Sequence, residues 1–194
     1  ISYYPRLSPD GTVMAITAFS GSATDVWIRD IARNTFTRLT VEGNNSRPEW
    51  SADGRYVLFI SSRGSKVGIW RRLADASAPA ELVYQPEVEP FEAIMSPDSK
   101  WLIFRTAPGG KYPRDILAVP LTGERVVKEL VTGPLSENLM RLSPDGKWLA
   151  YQSNEGNRTE VYVRPFPGNG ARITVSDNGG TEAGWARNGR ALFY

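Results

Sequence analysis

The sequence predicts an all-β protein, a β-propeller of four-stranded antiparallel blades with four full repeats and the start of a fifth. Three observations carry this prediction. A turn motif recurs five times: Ser8-Pro9-Asp10-Gly11, Ser51-Ala52-Asp53-Gly54, Ser96-Pro97-Asp98-Ser99, Ser143-Pro144-Asp145-Gly146 and Ala186-Arg187-Asn188-Gly189. Its copies begin 43, 45, 47 and 43 residues apart, and a period in the forties suits a blade of four short strands. The intervening residues fall into short β-branched and aromatic runs, with no sustained helical periodicity.

The elements of each repeat align in turn. A large apolar residue precedes the motif: Leu7, Trp50, Met95, Leu142 and Trp185. A β-rich run follows it: 13–16, 56–60, 101–104, 148–151 and 191–194. A third run comes after a polar loop, at Val26-Trp27-Ile28, Ile69-Trp70, 116–119 and Val161-Tyr162-Val163. A fourth closes the unit at 36–40, 81–84, 129–132 and 173–176. The repeats are therefore expected at 3–45, 46–90, 91–137 and 138–180, with a partial fifth at 181–194.

The motif has a mechanical reason. In a tight hairpin turn Pro presets φ at the second position, Asp bonds the backbone that follows it, and Gly accepts the left-handed conformation at the exit. Ser99 stands where the other copies have Gly, so some strain or a different turn is expected there. Turn chemistry accounts for the aligned Asp residues without calcium or catalysis. The six Trp residues are read as packing between blades rather than as stacking platforms for sugars.

Composition narrows the function. Of 194 residues, 41% are hydrophobic and 23% charged, the proportions of a globular domain. The net charge of +2 comes from 23 basic and 21 acidic residues spread along the chain, which offers no basic stripe for nucleic acid. There is no apolar run long enough for a membrane span. Without Cys no disulfide forms. Without His there is no Ser-His-Asp triad, and no Gly-x-Ser-x-Gly elbow occurs. No catalytic residue, cofactor or metal site is expected.

The repeats resemble the Pro-Asp-motif, WD-like propeller repeats of the TolB type. The matching stretches are Pro48 to Phe59, Arg141 to Tyr151, Asp25 to Asp30 and Arg38-Leu39-Thr40. The segments 151–155, Val161 to Pro167 and Trp185 to Gly189 are also similar to propeller regions attached to bacterial Ser/Thr protein kinases. The resemblance implies a non-catalytic binding or sensor module, periplasmic or extracellular, that recognises a protein, a peptide or a small polar ligand. It also implies a ring of more blades than these. The chain is then expected to be a piece of a longer product, to complete a ring with a second copy, or to have its last half-blade completed by N-terminal sequence. Two alternatives stand beside this reading: the gating propeller of a prolyl-oligopeptidase-like serine hydrolase, and a repeat fragment whose main property is self-assembly.

In a propeller the loops entering each first strand, and those joining second to third strands, share one mouth of the channel. The candidate ligand-binding residues at that rim are Asn45, Arg47, Glu89, Phe91, Glu92, Lys111, Tyr112, Arg114, Glu137, Asn138 and Glu182. Recurrent carboxylates, a few cations and aromatic faces suit a polar peptide, a protein terminus or a small charged ligand.

Overall fold

The computed structural model describes residues 2–109, 114–133, 137–155, 158–168 and 170–194. It is all-β, a β-propeller made of antiparallel four-stranded blades. The first blade is β1 (Ser2–Leu7), β2 (Val13–Ser20), β3 (Ala23–Asp30) and β4 (Thr35–Arg38). The second is β5 (Asn45–Trp50), β6 (Tyr56–Ser61), β7 (Gly68–Leu73) and β8 (Glu81–Tyr84). The third is β9 (Pro90–Met95), β10 (Trp101–Thr106), β11 (Ile116–Pro120) and β12 (Lys128–Val131). The fourth is β13 (Glu137–Leu142), β14 (Trp148–Ser153), β15 (Glu160–Pro165) and β16 (Ile173–Thr174). Each pairs in chain order, and a two-stranded sheet of β17 (Gly184–Trp185) and β18 (Leu192–Phe193) begins the fifth. The chain divides into two compact units, residues 1–95 and 96–194, with the division in the turn after β9.

The turn behaves as its residue types require. In the first four copies the Ser hydroxyl donates to the Asp carboxylate, at 2.6, 2.6, 2.6 and 2.5 Å. The same carboxylate accepts the N–H two residues on, at 3.0 to 3.1 Å. The Ser oxygen in turn accepts the first N–H of the second strand, from Val13, Tyr56, Trp101 and Trp148. These Ser hydroxyls, with the backbone donors, hold Asp10, Asp53, Asp98 and Asp145 below the usual carboxylate range. In the fifth copy Asn188 takes over, accepting from Arg190 N–H at 3.0 Å. Turn geometry thus uses every Asp of the motif.

The fourth position is left-handed throughout, with φ of 78° at Gly11, 69° at Gly54, 69° at Gly146 and 68° at Gly189. Ser99 is forced to the same conformation, with φ 56°. A side chain there costs about 1 kcal/mol against Gly. Ser99→Gly is therefore expected to raise the stability of the 96–194 unit by about 1 kcal/mol, read as a higher urea midpoint. An unchanged or lowered midpoint would show that the turn is not strained.

The core of each unit lies between sheets. In residues 1–95, Ala15, Val26 and Leu39 of the first blade meet Trp50, Val57 and Phe59 of the second. In residues 96–194, Ala150, Val161 and Val163 of the fourth blade meet Ala183, with Trp148 and Trp185 packed against them. Flat aromatic rings serve this sheet-to-sheet layer, and two of the Trp also supply a polar handle. Trp50 Nε1 donates to Arg6 O at 2.9 Å, and Trp185 Nε1 donates to Arg141 O at 3.2 Å. Both carbonyls sit two residues before a Ser-Pro-Asp motif, so the two bonds repeat each other in successive blades. A second recurring strap comes from third-strand arginines. Arg72 donates to Leu39 O at 2.6 Å, and Arg164 donates to Leu130 O.

Several strand boundaries differ from the sequence expectation, and at the end of the first repeat the reason is visible. The closing run of the first repeat reads as a strand to Thr40, but β4 stops at Arg38. Leu39 and Thr40 leave the ladder because both of their N–H groups turn onto Val26 O, at 2.8 and 3.3 Å. That step carries the Thr40 hydroxyl inward, where it accepts from Val26 N–H.

Candidate recognition site at the starts of the first strands

The first strand of a blade shares a constructional irregularity. The register of β1 with β2 shifts between Tyr3 and Arg6, that of β5 with β6 between Ser46 and Glu49, and that of β13 with β14 between Asn138 and Arg141. At each β-bulge one residue with a side chain adopts positive φ: Tyr4 at 56°, Arg47 at 55° and Leu139 at 50°. Glu182, at the same step of the fifth repeat, has φ 60°. Such bulges re-aim side chains at the ends of strands, and non-glycine left-handed residues collect where function requires them.

In the unit 1–95 the bulges assemble an aromatic–guanidinium–aromatic stack. Arg47 Cζ lies 3.5 Å from the Tyr4 ring centroid and 3.7 Å from that of Phe91. The guanidinium is held against two π-faces, a favourable place for a cation. Tyr4 is 38% exposed, and Arg47 and Phe91 are half-buried, so the stack presents both charge and apolar surface at one end of the blades. Beside it runs a buried polar network. Asp25, fully buried at the start of the third strand, accepts from Thr40 Oγ1 at 2.7 Å and Asn45 Nδ2 at 3.1 Å through one oxygen. Its other oxygen accepts from Arg38 Nε at 3.0 Å and Nη2 at 2.5 Å. Asn45 is thus committed to the network.

The unit 96–194 repeats this pattern with different chemistry. Glu160, at the start of β15, accepts from the Ser176 hydroxyl and from Gly179 N–H, the latter at 2.9 Å. The hydroxyl, Gly179 N–H and Arg158 hold its carboxyl low. Asp115, before β11, is 3% exposed and accepts from Gly133 N–H at 3.3 Å. Its carboxyl is pushed up by burial, with the Glu129 charge adding to the effect. Glu137 opens β13 as Asn45 opens β5, since each stands six residues before its motif Ser. Glu137 is 3% exposed and its Oε2 has no hydrogen-bond partner among the described residues. Burial pushes its pKa up to about 7, and the Asp115 and Glu155 charges contribute in the same direction. A carboxyl therefore stands where the first unit has an amide, and it titrates near neutrality.

The other sequence-predicted positions differ in exposure. Glu92 is buried and Glu89 exposed. Asn138 is half-buried. Arg114 is half-buried with φ 63°. Glu182 is exposed, and its N–H donates to Gln152 Oε1 at 3.2 Å. Lys111 and Tyr112 lie outside the described residues. Sequence reasoning missed Tyr4, which completes the stack, and the acids Asp25, Asp115 and Glu160. A signal for the acids was present: each immediately precedes a β-branched residue that opens a third-strand run. No group of three or more acidic side chains arranged for a metal ion occurs among the described residues. Among the same residues no helix is long and apolar enough to cross a membrane.

Comparison with known proteins places this architecture. No family model matches the chain. An uncharacterized protein of Agrobacterium fabrum is 38% identical over 78 residues, covering 40% of this chain and 27% of that protein. A TolB homolog of Chlorobium chlorochromatii is 33% identical over 66 residues, covering 34% of this chain and 15% of the homolog. Among solved structures, TolB from Acinetobacter baumannii aligns with 100% of this chain and 48% of its own, at a TM-score of 0.79 and 23% identity. A TolB-like protein from Agrobacterium tumefaciens aligns over 87% of this chain and 60% of its own, with a TM-score of 0.58 and 26% identity. Prolyl endopeptidases share the fold alone, at 16% identity and a TM-score of 0.63. The matched region spans about a quarter or less of these curated relatives and about half of the solved TolB chain. In repeat sequence the chain is similar to TolB homologues, and in fold it is a β-propeller similar to the solved TolB structures.

Proposed function

We propose that this chain is a non-catalytic recognition module that binds a protein or peptide segment at the starts of its first strands. The carrying observation is the Tyr4–Arg47–Phe91 stack. A guanidinium fixed between two aromatic rings offers a carboxylate or backbone-carbonyl partner, and the exposed Tyr4 face adds an apolar contact. Tyr and Arg are the residue types that dominate binding energy at protein interfaces. All three side chains stand on strands, two of them at bulges, so little ordering entropy remains to be lost on binding. The resemblance to TolB-type repeats supports a protein partner and a periplasmic or extracellular setting, and the likeness of 151–155, Val161 to Pro167 and Trp185 to Gly189 to kinase-attached propellers suits a place within a larger protein such as a bacterial Ser/Thr kinase. The reading is of affinity without turnover.

The test is selection of random peptides displayed on phage against the intact chain. Selected peptides are expected to lose at least about tenfold in affinity for Arg47→Ala and for Phe91→Ala. They should bind Lys147→Ala, altered in a turn at the opposite end of its blade, as they bind the wild type. Failure to enrich any peptide, or peptides indifferent to Arg47 and Phe91, would overturn the proposal.

A further inference from the structure

A second concavity lies away from that stack, along the length of β7. It has a volume of about 470 Å³, within the usual range for small-molecule sites. Glu42, from the loop entering β5, and Arg63, from the loop after β6, line one end. Trp70 and Arg72 of β7 form its floor. The loop between β7 and β8 closes the other end with Ala76, Ser77, Ala78, Pro79 and Ala80, none of them charged.

We propose that this groove binds a small carboxylate that carries an apolar body. Two guanidinium groups line it against one carboxylate. Arg72 is fully engaged, donating to Ala78 O at 2.8 Å, Leu39 O at 2.6 Å and Ala76 O at 3.1 Å. Arg63 is not. Its hydrogen bonds are long, 3.3 Å to Ser61 Oγ and 3.3 Å to Glu42 O. Its Nη1 stands 3.7 Å from the Glu42 carboxylate, an ion pair beyond hydrogen-bond range. The Glu42 side chain is 73% exposed, whereas that of Arg63 is only 14% exposed. Arg63 is thus a desolvated cation with a weak, water-facing partner and an Arg72 charge nearby. Burial draws its pKa down and the Arg72 charge adds to this, against the opposing charges of Glu42 and Asp25.

The surroundings fix what would satisfy it. The Arg63 guanidinium lies 4.7 Å from the Trp70 ring centroid, so its fork is held in orientation. Because its present bonds are long, the Arg63 fork can exchange them for one carboxylate held in bidentate fashion. A monoanion neutralises that single unmatched charge, while a phosphate dianion would demand donors that Arg72 has already committed. The Trp70 face and the Ala–Pro wall then call for an apolar body beside the carboxylate. The ligand is either a free acid or the C-terminus of a peptide that ends in an apolar residue.

Calorimetric titration of the intact chain tests this with three probes: N-acetyl-L-phenylalanine, its carboxamide, and a short peptide ending in a free-acid Phe. The acid is expected to bind about tenfold or more tightly than the amide. Arg63→Gln should lower affinity for the acid by about as much, with Arg63→Lys keeping part of it. Glu42→Gln, a change to an exposed side chain that leaves folding intact, removes the competing carboxylate and should tighten binding several-fold. Binding of the peptide identifies a protein terminus as an occupant, and binding of the small acid alone identifies a free ligand. The proposal fails if acid and amide bind alike, or bind not at all, to both the wild type and Glu42→Gln. It also fails if a folded Arg63→Gln protein keeps wild-type affinity.

Discussion

Asp25→Ala is expected to destabilise the 1–95 unit by about 2–4 kcal/mol, the largest effect of any single truncation in its polar interior. Asp25 is fully buried, and four hydrogen bonds converge on its two oxygens, from Thr40, Asn45 and Arg38. Removing the carboxylate orphans several donors at once. Asn45 keeps Glu42 O at 2.9 Å as an acceptor, and Arg38 Nε keeps Thr40 O at 2.9 Å, so part of the loss is recovered locally. Thr40 also positions the end of β4 by accepting from Val26 N–H at 2.9 Å, so loosening its hydroxyl loosens the sheet. Asp25→Asn should cost nearly as much, because its amide nitrogen cannot accept from Arg38. Arg38→Ala should cost less, since the Arg38 side chain is 37% exposed and water replaces part of what it loses. Urea unfolding followed by Trp fluorescence reads this unit, which holds Trp27, Trp50 and Trp70. An Asp25→Ala midpoint equal to that of Arg38→Ala would show that the buried carboxylate does not organise the network.

Part of this architecture was legible in the sequence, and the division follows physical lines. Second strands stand out because they are covered on both faces. β6, β10 and β14 are each buried at five of six positions, and such strands must be continuous β-branched and aromatic runs. The turns stand out because Ser-Pro-Asp-Gly chemistry is local, with every bond closed within five residues. First strands are obscure for the opposite reason. Ser2–Leu7 and Asn45–Trp50 contain Pro5 and Pro48 and several polar residues. They are strands only because their neighbours pair with them, and the bulges that tolerate the prolines appear only in the register. The site residues follow the same rule. Arg47 and Phe91 carry chemistry that a linear reading can flag, whereas their meeting between neighbouring blades is purely three-dimensional. Asp25 and Asn45 lie twenty residues apart, and no periodicity links them.

The residue in which local reading and three-dimensional placement diverge most is Glu137, and it carries the second large effect. A carboxyl at the entry to a first strand reads as a solvated rim charge, yet Glu137 is 3% exposed. In the equivalent place Asn45 donates its amide to Asp25, which suits a buried carboxylate. Glu137 brings a second acid towards Asp115 instead, with Glu155 also contributing negative charge and Ser153 beside it. Burial and like charge both favour the protonated form, so the folded-state pKa rises from 4.5 to about 7. A folded state that holds its proton more tightly than the unfolded chain is fully stabilised below pH 4.5, and that stabilisation is lost as pH rises through about 7. At about 1.4 kcal/mol per pH unit the loss amounts to about 3 kcal/mol by pH 8. Asp115, also raised by burial, has the same sign, whereas Glu160 and the four turn aspartates are held low and act only in acid. Glu137→Gln isolates the effect. Its amide is neutral at every pH and can donate to Asp115 as Asn45 does to Asp25. The variant should match the wild type near pH 4 and exceed it by about 2–3 kcal/mol at pH 8. Paired urea titrations at half-unit steps between pH 4 and 8 measure this difference directly, and a difference that stays flat would mean that Glu137 is ionised throughout and finds a partner in the folded state.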